Sequence, residues 1–380
     1  MTWEEAIERA WGNVVPKVYD ILSRHGYVKD LAREVRRARE EVVKNLDFYI
    51  EEVRKAVERA GGRFYLAADG REAVEYVTGV VGSGKTVVLS KNNVALETGL
   101  RRGLEEGGNE VWETDLGEFL IQLAGEEPSH ILAPALHMTR ERAAEVLRRR
   151  LGLDVKPDAV DVAKAARQFL REKLVRADVG ITGANAVAAD TGAVVLVENE
   201  GNIRLTSGLP PVHIVYDGVE KLVPTLPHAL MAALVQSAYA GLYPPTYVNV
   251  SAGPSSTADV EMYRVTPAQG PREFHMVLVD NGRRAAARDP ELWEALLCVR
   301  CGRCHMHCPI YRVLGPEFGV PPYTGPMGVM WTAVTRGVEA AGPHAMSCVH
   351  AGNCKAVCPM AIDIPHVIHA IRRRFVSRRG

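Results

Sequence analysis

The sequence predicts an α/β body with a largely parallel sheet, preceded by helices and followed by a smaller helical domain organised around cysteines. Three observations carry this expectation. Short apolar runs alternate with helical stretches from Arg63 to about Arg284, as in a sheet with crossover helices. Residues 1–62 carry helical periodicity only. All seven cysteines fall between Cys298 and Cys358, and strand signals stop near Asp289. The expected division is 1–62 (N-terminal helical segment), 63–288 (α/β domain) and 289–380 (helical, cysteine-bearing domain).

Bulk properties exclude several classes. The chain has 380 residues, with 47% hydrophobic and 24% charged, the profile of a globular protein rather than a disordered one. Lys+Arg and Asp+Glu are 46 each, so no net field recruits nucleic acid or an anionic membrane. The first residues lack the basic and apolar regions of a secretory signal. No run of about 18 apolar residues occurs, so no transmembrane segment is expected. The expectation is a cytoplasmic protein that reaches a membrane only through a partner.

Each element has its own signal. Glu4, Glu5, Ile7, Ala10 and Trp11 open an amphipathic turn. Leu31, Val35, Val42, Leu46, Ile50, Val53 and Val57 recur three and four apart, predicting one helix over Lys29–Ala60 that ends at Gly61-Gly62. Strands are expected at Phe64–Ala67, Thr86–Leu89, Glu110–Thr114, Ile131–Ala133, Val179–Thr182, Ala193–Val197, His213–Tyr216 and His275–Val279. Helices are expected at Asn93–Glu106, Thr139–Leu151 and Ala159–Arg176, then Gly325–Ala341 and Ile364–Arg374. The basic tail from Arg372 reads either as a solvated end or as a docking patch for an acidic partner.

Gly79–Thr86 matches the phosphate-loop pattern G-x-x-x-x-G-K-[ST] in letters only. That loop needs a strand before it and a helix after it, so that amide N–H groups converge on phosphate. Here a helical stretch precedes and a β-branched run follows, which predicts a glycine turn instead.

The cysteines carry the chemistry. An odd count in a large chain argues against a disulfide framework. Cys298-x2-Cys301-x2-Cys304-x3-Cys308-Pro309 is the bacterial-ferredoxin run, in which the fourth cysteine serves the other cluster. Zinc is the competing reading, but zinc sites use two separated pairs. Cys348-x5-Cys354-x3-Cys358-Pro359 is the same motif with one thiol missing, at Ala351. Crossed ligation predicts a [4Fe–4S] cluster on Cys298, Cys301, Cys304 and Cys358. It leaves Cys308, Cys348 and Cys354 for a [3Fe–4S] centre, or for a second [4Fe–4S] cube completed by a non-cysteine ligand. His350 and Asn353 are the nearest such ligands, and the plainer reading makes both ordinary loop residues. His305 and His307 either hydrogen-bond cluster sulfur or are exposed loop residues.

With these motifs stated, the chain resembles a known family, the iron–sulfur subunits of three-component lactate-utilisation systems. These join a LUD domain to a two-cluster ferredoxin segment. The resemblance spans roughly residues 30–375. It rests on Glu113-Thr-Asp115-Leu-Gly117-Glu118, Pro128-Ser129-His130-Ile131, Asp178-Val-Gly180-Ile-Thr182-Gly183-Ala-Asn185, Asp190-Thr191-Gly192 leading to Glu198-Asn199-Glu200-Gly201-Asn202, and Asp280-Asn281-Gly282-Arg283. It implies an α/β LUD fold akin to sugar-phosphate isomerases and CoA transferases, with a C-terminal α-helical ferredoxin-like domain. It also implies a relay of electrons in a complex that oxidises L-lactate, or another 2-hydroxy acid, to the 2-oxo acid. The missing fourth thiol departs from that pattern. It resembles the [3Fe–4S] motif of the iron–sulfur subunit of succinate dehydrogenase and fumarate reductase, which points to a quinone or ferredoxin acceptor beside the redox partner subunits.

Within the α/β domain, Asn185, Asp190 and Glu198 are the catalytic candidates, with Thr191, Glu200 and Asn202 nearby. Glu198 is the candidate base or nucleophile. The alternative is that these residues cap turns. His130 and His137 read as core histidines. No dinucleotide fingerprint for a flavin appears, yet oxidising a 2-hydroxy acid removes two electrons and clusters accept them singly. Three functions follow from this: an electron-transfer subunit, a stand-alone oxidoreductase with the α/β domain as its catalyst, and a cluster-bearing sensor or scaffold.

Overall fold

The computed structural model describes residues 3–378. Three helices open the chain: α1 (Trp3–Arg24), α2 (Tyr27–Lys44) and α3 (Leu46–Arg59). The single helix expected over Lys29–Ala60 is therefore two. Asn45 leaves helical geometry (φ −125°, ψ 37°), and its side-chain amide donates to the Glu41 carbonyl (3.0 Å). The break serves packing. Ala32, Val35 and Val43 join the core shared with the C-terminal domain, whereas Leu46, Ile50, Val53 and Val57 cover the sheets.

Six parallel strands form the main sheet: β1 (Arg63–Ala67), β2 (Thr86–Leu89), β3 (Glu110–Glu113), β4 (Val179–Thr182), β7 (Val212–Gly218) and β10 (Glu273–Val279). Their order is β1-β10-β7-β4-β2-β3. Val87 pairs with Val179 and Gly180 with His213. A second sheet, in the order β8-β5-β6-β9, comprises β5 (Ala186–Ala188), β6 (Val194–Glu198), β8 (Leu222–Val223) and β9 (Tyr247–Ser251). Strands β5 and β8 are too short for a periodicity signal. Gly180 must be glycine, because a Cβ there would stand 1.8 Å from the Thr206 carbonyl oxygen.

Several expectations are corrected. Ile131–Ala133 is not a strand: the Ser129 N–H and hydroxyl both bond the Pro134 carbonyl (2.9 Å each), and the amides of Leu132 and Ala133 donate to His130 Nδ1 (3.2 Å each). A loop closed on its own polar groups has none left for a ladder. The helix expected at Asn93–Glu106 breaks at Gly99 (φ 72°), and that at Gly325–Ala341 breaks at Gly337 (φ 84°). At Gly79–Thr86 the helix Gly70–Val81 runs into β2, so the phosphate-loop match is a helix-to-strand turn.

The C-terminal part is helical around Gly325–Arg336, whose buried residues include Met327, Val329, Met330 and Trp331. A two-stranded ribbon, Gly319–Val320 with Tyr323–Thr324, precedes that helix. Over its described residues, 372–378, the tail is anchored, and Arg379 lies outside the described residues. Arg374 pairs with Asp289 (2.8 Å) and Glu291 (2.6 Å), Arg373 with Glu291, and Arg372 caps the carbonyls of Ala345 (2.7 Å) and Cys348.

Candidate functional site

The two cysteine loops share one backbone design. Arg300 (φ 57°) and Gly302 (φ 71°) in the first correspond to His350 (φ 54°) and Gly352 (φ 80°) in the second. Each loop then enters a four-residue helix, Arg303–Met306 or Asn353–Ala356. A non-glycine residue at positive φ is strained, and its repetition at matched positions marks a shared cradle. The loss of a thiol at Ala351 has therefore not changed the second loop's path.

The seven thiols are free and line two cavities. Cys298, Cys301, Cys304 and Cys358 surround one. Cys308, Cys348 and Cys354 surround the other, with Ala351 in its wall. Burial pushes the thiols of Cys301, Cys354 and Cys358 up to about 12, and that of Cys304 well above its ordinary value. Such thiols give up protons only to a strong local positive charge, which iron would supply. The donor set and the paired cavities fit iron–sulfur clusters.

The histidines separate in role. His305 is fully buried, with Nδ1 3.7 Å from Cys304 Sγ, and burial brings its pKa down to about 4. It packs edge-on against His130 and Tyr311. His307 is half-buried and donates from Nδ1 to the Arg303 carbonyl (3.1 Å). His130 is a core residue, as expected, but His137 is not: it is partly exposed and bridges Ser129 Oγ and Glu126 Oε2 (2.8 Å each). Asn353 donates to the His307 carbonyl (3.2 Å), and the exposed His350 packs edge-on against His369. Both also line the three-thiol cavity.

Behind the first loop lies a buried charge network that the sequence did not announce. Arg300 pairs with Glu220 and lies 3.8 Å from Asp217. Arg283 grips Glu97 through both amino nitrogens (2.9 and 2.7 Å) and also pairs with Glu220. Tyr323 donates to Glu97 (2.6 Å), and Arg300 stands over the Trp331 ring at 4.6 Å. Burial opposes ionisation of Glu220, but Arg283 and Arg300 outweigh it and hold the carboxyl down to about 2. With Arg39 and Lys221, four cations face the three carboxylates of Glu97, Asp217 and Glu220, all of them buried. One positive charge is left over beside the cysteine loop, which suits a cluster made anionic by four thiolates. Only Arg283, inside a recognised motif, and Arg300, between two cysteines, carried any sequence signal.

A third cavity, an open pocket of about 370 Å³, lies at the carboxyl ends of β2, β4 and β7. The chain leaves β2 toward one edge of the sheet and β4 toward the other, so this is the crevice where open α/β sheets bind ligands. Lys91, Asn185, Glu198, Lys221, Gln236 and Arg300 are in its wall. The three catalytic candidates do not act as one group. Asn185 lines the pocket, bonded to Gln236 and to the Val197 amide (2.8 Å). Glu198 also lines it, but accepts from the amides of Ile203 (2.7 Å) and Arg204 (3.2 Å) and from Asn249 (3.0 Å). That is a helix cap rather than a free base. Asp190 is exposed in the β5–β6 turn, outside the pocket, where Thr191 donates to it (3.2 Å).

Comparison with known proteins agrees with this geometry. Residues 50–279 match the LUD domain family and residues 294–362 the 4Fe-4S dicluster domain family. The chain is 36% identical over 359 residues to the lactate utilization protein B of Bacillus licheniformis and to that of Bacillus subtilis, covering 93% of this chain and 72% of each relative. A similar protein of the same name from Bacillus anthracis is 36% identical over 358 residues, with the same coverage. Among solved structures, a DUF162 family protein from Deinococcus radiodurans aligns with 61% of this chain and 97% of its own, at 16% identity and a TM-score of 0.31.

Proposed function

Since the chain belongs to the LUD-domain family and carries a 4Fe-4S dicluster domain, we propose that it is the iron–sulfur electron-transfer subunit of a complex that oxidises L-lactate, or a related 2-hydroxy acid, to the 2-oxo acid. One observation carries this reading: the thiols divide four and three between two adjacent cavities, across the two sequence motifs. In this assignment Cys298, Cys301, Cys304 and Cys358 hold a [4Fe–4S] cluster, and Cys308, Cys348 and Cys354 hold a [3Fe–4S] centre. Residues 63–288 contribute the pocket, residues 289–380 the clusters, and residues 1–62 brace both. Clusters of these types carry single electrons, with potentials set by charge, hydrogen bonding and burial. Redox partner subunits deliver electrons, and a quinone or ferredoxin takes them onward. Among the described residues no helix is long and apolar enough to cross a membrane, so any membrane acceptor is reached through a partner.

The direct test is anaerobic. With its partner subunits present, L-lactate bleaches the visible cluster absorbance of this chain. Clusters that stay oxidised under lactate, yet reduce with dithionite, contradict the reading.

The three-thiol assignment makes a separate prediction. Ala351→Cys restores the fourth thiol in a loop that already follows the first loop's path. Iron content rises from about seven to about eight per chain, and the EPR signal of the oxidised protein disappears. An unchanged iron count and signal contradict a vacant cube corner at this position.

A further inference from the structure

We infer that the pocket at the strand ends, together with the groove that adjoins it, binds a phosphate-bearing flavin of the mononucleotide class beside the four-thiol cavity. The inference rests on the electron-transfer reading above, and the experiment is chosen to separate the two.

The pocket and the four-thiol cavity are one side-chain layer apart. Arg300, between Cys298 and Cys301, is in the pocket wall. So is Leu132, whose Cδ1 lies 3.3 Å from where a Cβ on Gly302 would stand. The Nε of Arg300 is buried with no hydrogen-bond partner among the described residues. A ligand here therefore meets the cluster loop directly.

Size and charge select the ligand. At about 370 Å³ the pocket is still larger than a three-carbon acid requires. It meets a second groove of about 510 Å³ across Glu200 and Asn202, which are in both walls. That groove has an apolar floor of Leu170, Leu174 and Leu205, and carries Arg167 and Arg171, one turn apart on the helix Ala159–Arg176. Neither arginine has an ion-pair partner among the described residues, unlike Arg204 opposite, which lies 3.6 Å from Glu198. Two adjacent guanidinium groups suit a phosphate. The elongated site thus has a polar end at the cluster loop and a phosphate-selective end some distance away.

Electron counting gives the class. A 2-hydroxy acid becoming its 2-oxo acid releases two electrons and two protons. A flavin accepts both pairs, then yields the electrons singly to the cluster while the two protons leave to water. Arginines grip the phosphate here, so no glycine-rich fingerprint is required.

The experiment titrates the cluster-replete chain with FMN and with riboflavin, reading quenching of flavin fluorescence. FMN binds, riboflavin binds at least tenfold more weakly, and the double variant R167Q/R171Q loses at least tenfold in FMN affinity while keeping its iron content and its riboflavin affinity. Both side chains are exposed, so the fold is spared. Absence of FMN binding, equal binding of the two flavins, or an unaffected double variant overturns the inference. If FMN binds as described but lactate never reduces the clusters in the assembled complex, the lactate reading fails and the flavin site stands. If lactate reduces the clusters while this chain binds no flavin, the flavin site fails and the relay stands.

Discussion

Cys358→Ala abolishes the cluster whose other ligands lie some 50 residues earlier in the chain, and Cys308→Ala abolishes the other one. Reading each motif as a self-contained site predicts the reverse. The structure sets Cys358 with Cys298, Cys301 and Cys304 around one cavity, and Cys308 with Cys348 and Cys354 around the other. Each variant therefore loses one centre: about four irons for Cys358→Ala and about three for Cys308→Ala. EPR of the oxidised proteins separates them. The signal of the three-iron centre survives in Cys358→Ala and vanishes in Cys308→Ala. The opposite pattern contradicts crossed ligation. Structural loss accompanies the electronic loss, because the thiols sit in the core beside Met327, Met360 and Ile364, and an empty cavity there forfeits the contacts the cluster makes.

Glu220→Gln has the largest expected effect on stability of any substitution outside the cysteines. The carboxylate is fully buried between Arg283 and Arg300, themselves buried. Glutamine keeps the shape but removes the charge, leaving two desolvated guanidinium groups facing each other with Asp217 and Glu97 as the remaining anions. Breaking such a pair costs about 3–5 kcal/mol, which appears as a fall in melting temperature of about 4–6 °C for the iron-replete protein. The exposed pair Arg102–Glu106 (2.7 Å) supplies the contrast. Glu106→Gln leaves the melting temperature essentially unchanged, because water and salt already screen it. Equal effects at the two sites contradict a structural role for the buried network. Since Arg300 lies in the cluster loop, Glu220→Gln also shifts the potential of the four-thiol cluster upward, as an uncompensated positive charge favours the reduced state.

The parts that were legible in the sequence were those with a local signature. Helix Ala159–Arg176 has such a local signature: Asp158 caps its start by accepting from the amides of Val160 and Asp161. Cysteine spacing predicts the same grouping of thiols that lines the two cavities, because a short loop around a cluster constrains residue separation directly. Elements set by long-range packing were not readable. The break at Asn45 exists because α2 and α3 cover different layers, and the apolar spacing runs through it uninterrupted. Strands β5 and β8 are held by pairing across 35 residues, Val187 with Leu222, rather than by their own length. Ile131–Ala133 looked like a strand because its apolar letters carry no trace of the polar loop that closes over them. Glu198 looked catalytic for a similar reason: a conspicuous carboxylate in a glycine-rich segment does not reveal that both its oxygens cap the next helix. The network of Glu97, Asp217, Glu220, Arg283 and Arg300 joins residues from four separate segments, only Asp217 and Glu220 being neighbours in sequence.

A four-iron cluster on four thiolates and a three-iron centre on three together give about seven irons per chain and a narrow EPR signal of the oxidised protein near the free-electron position, both read in one anaerobic sample. About eight irons with an EPR-silent oxidised protein, or about four irons with no signal, contradicts this pair of centres.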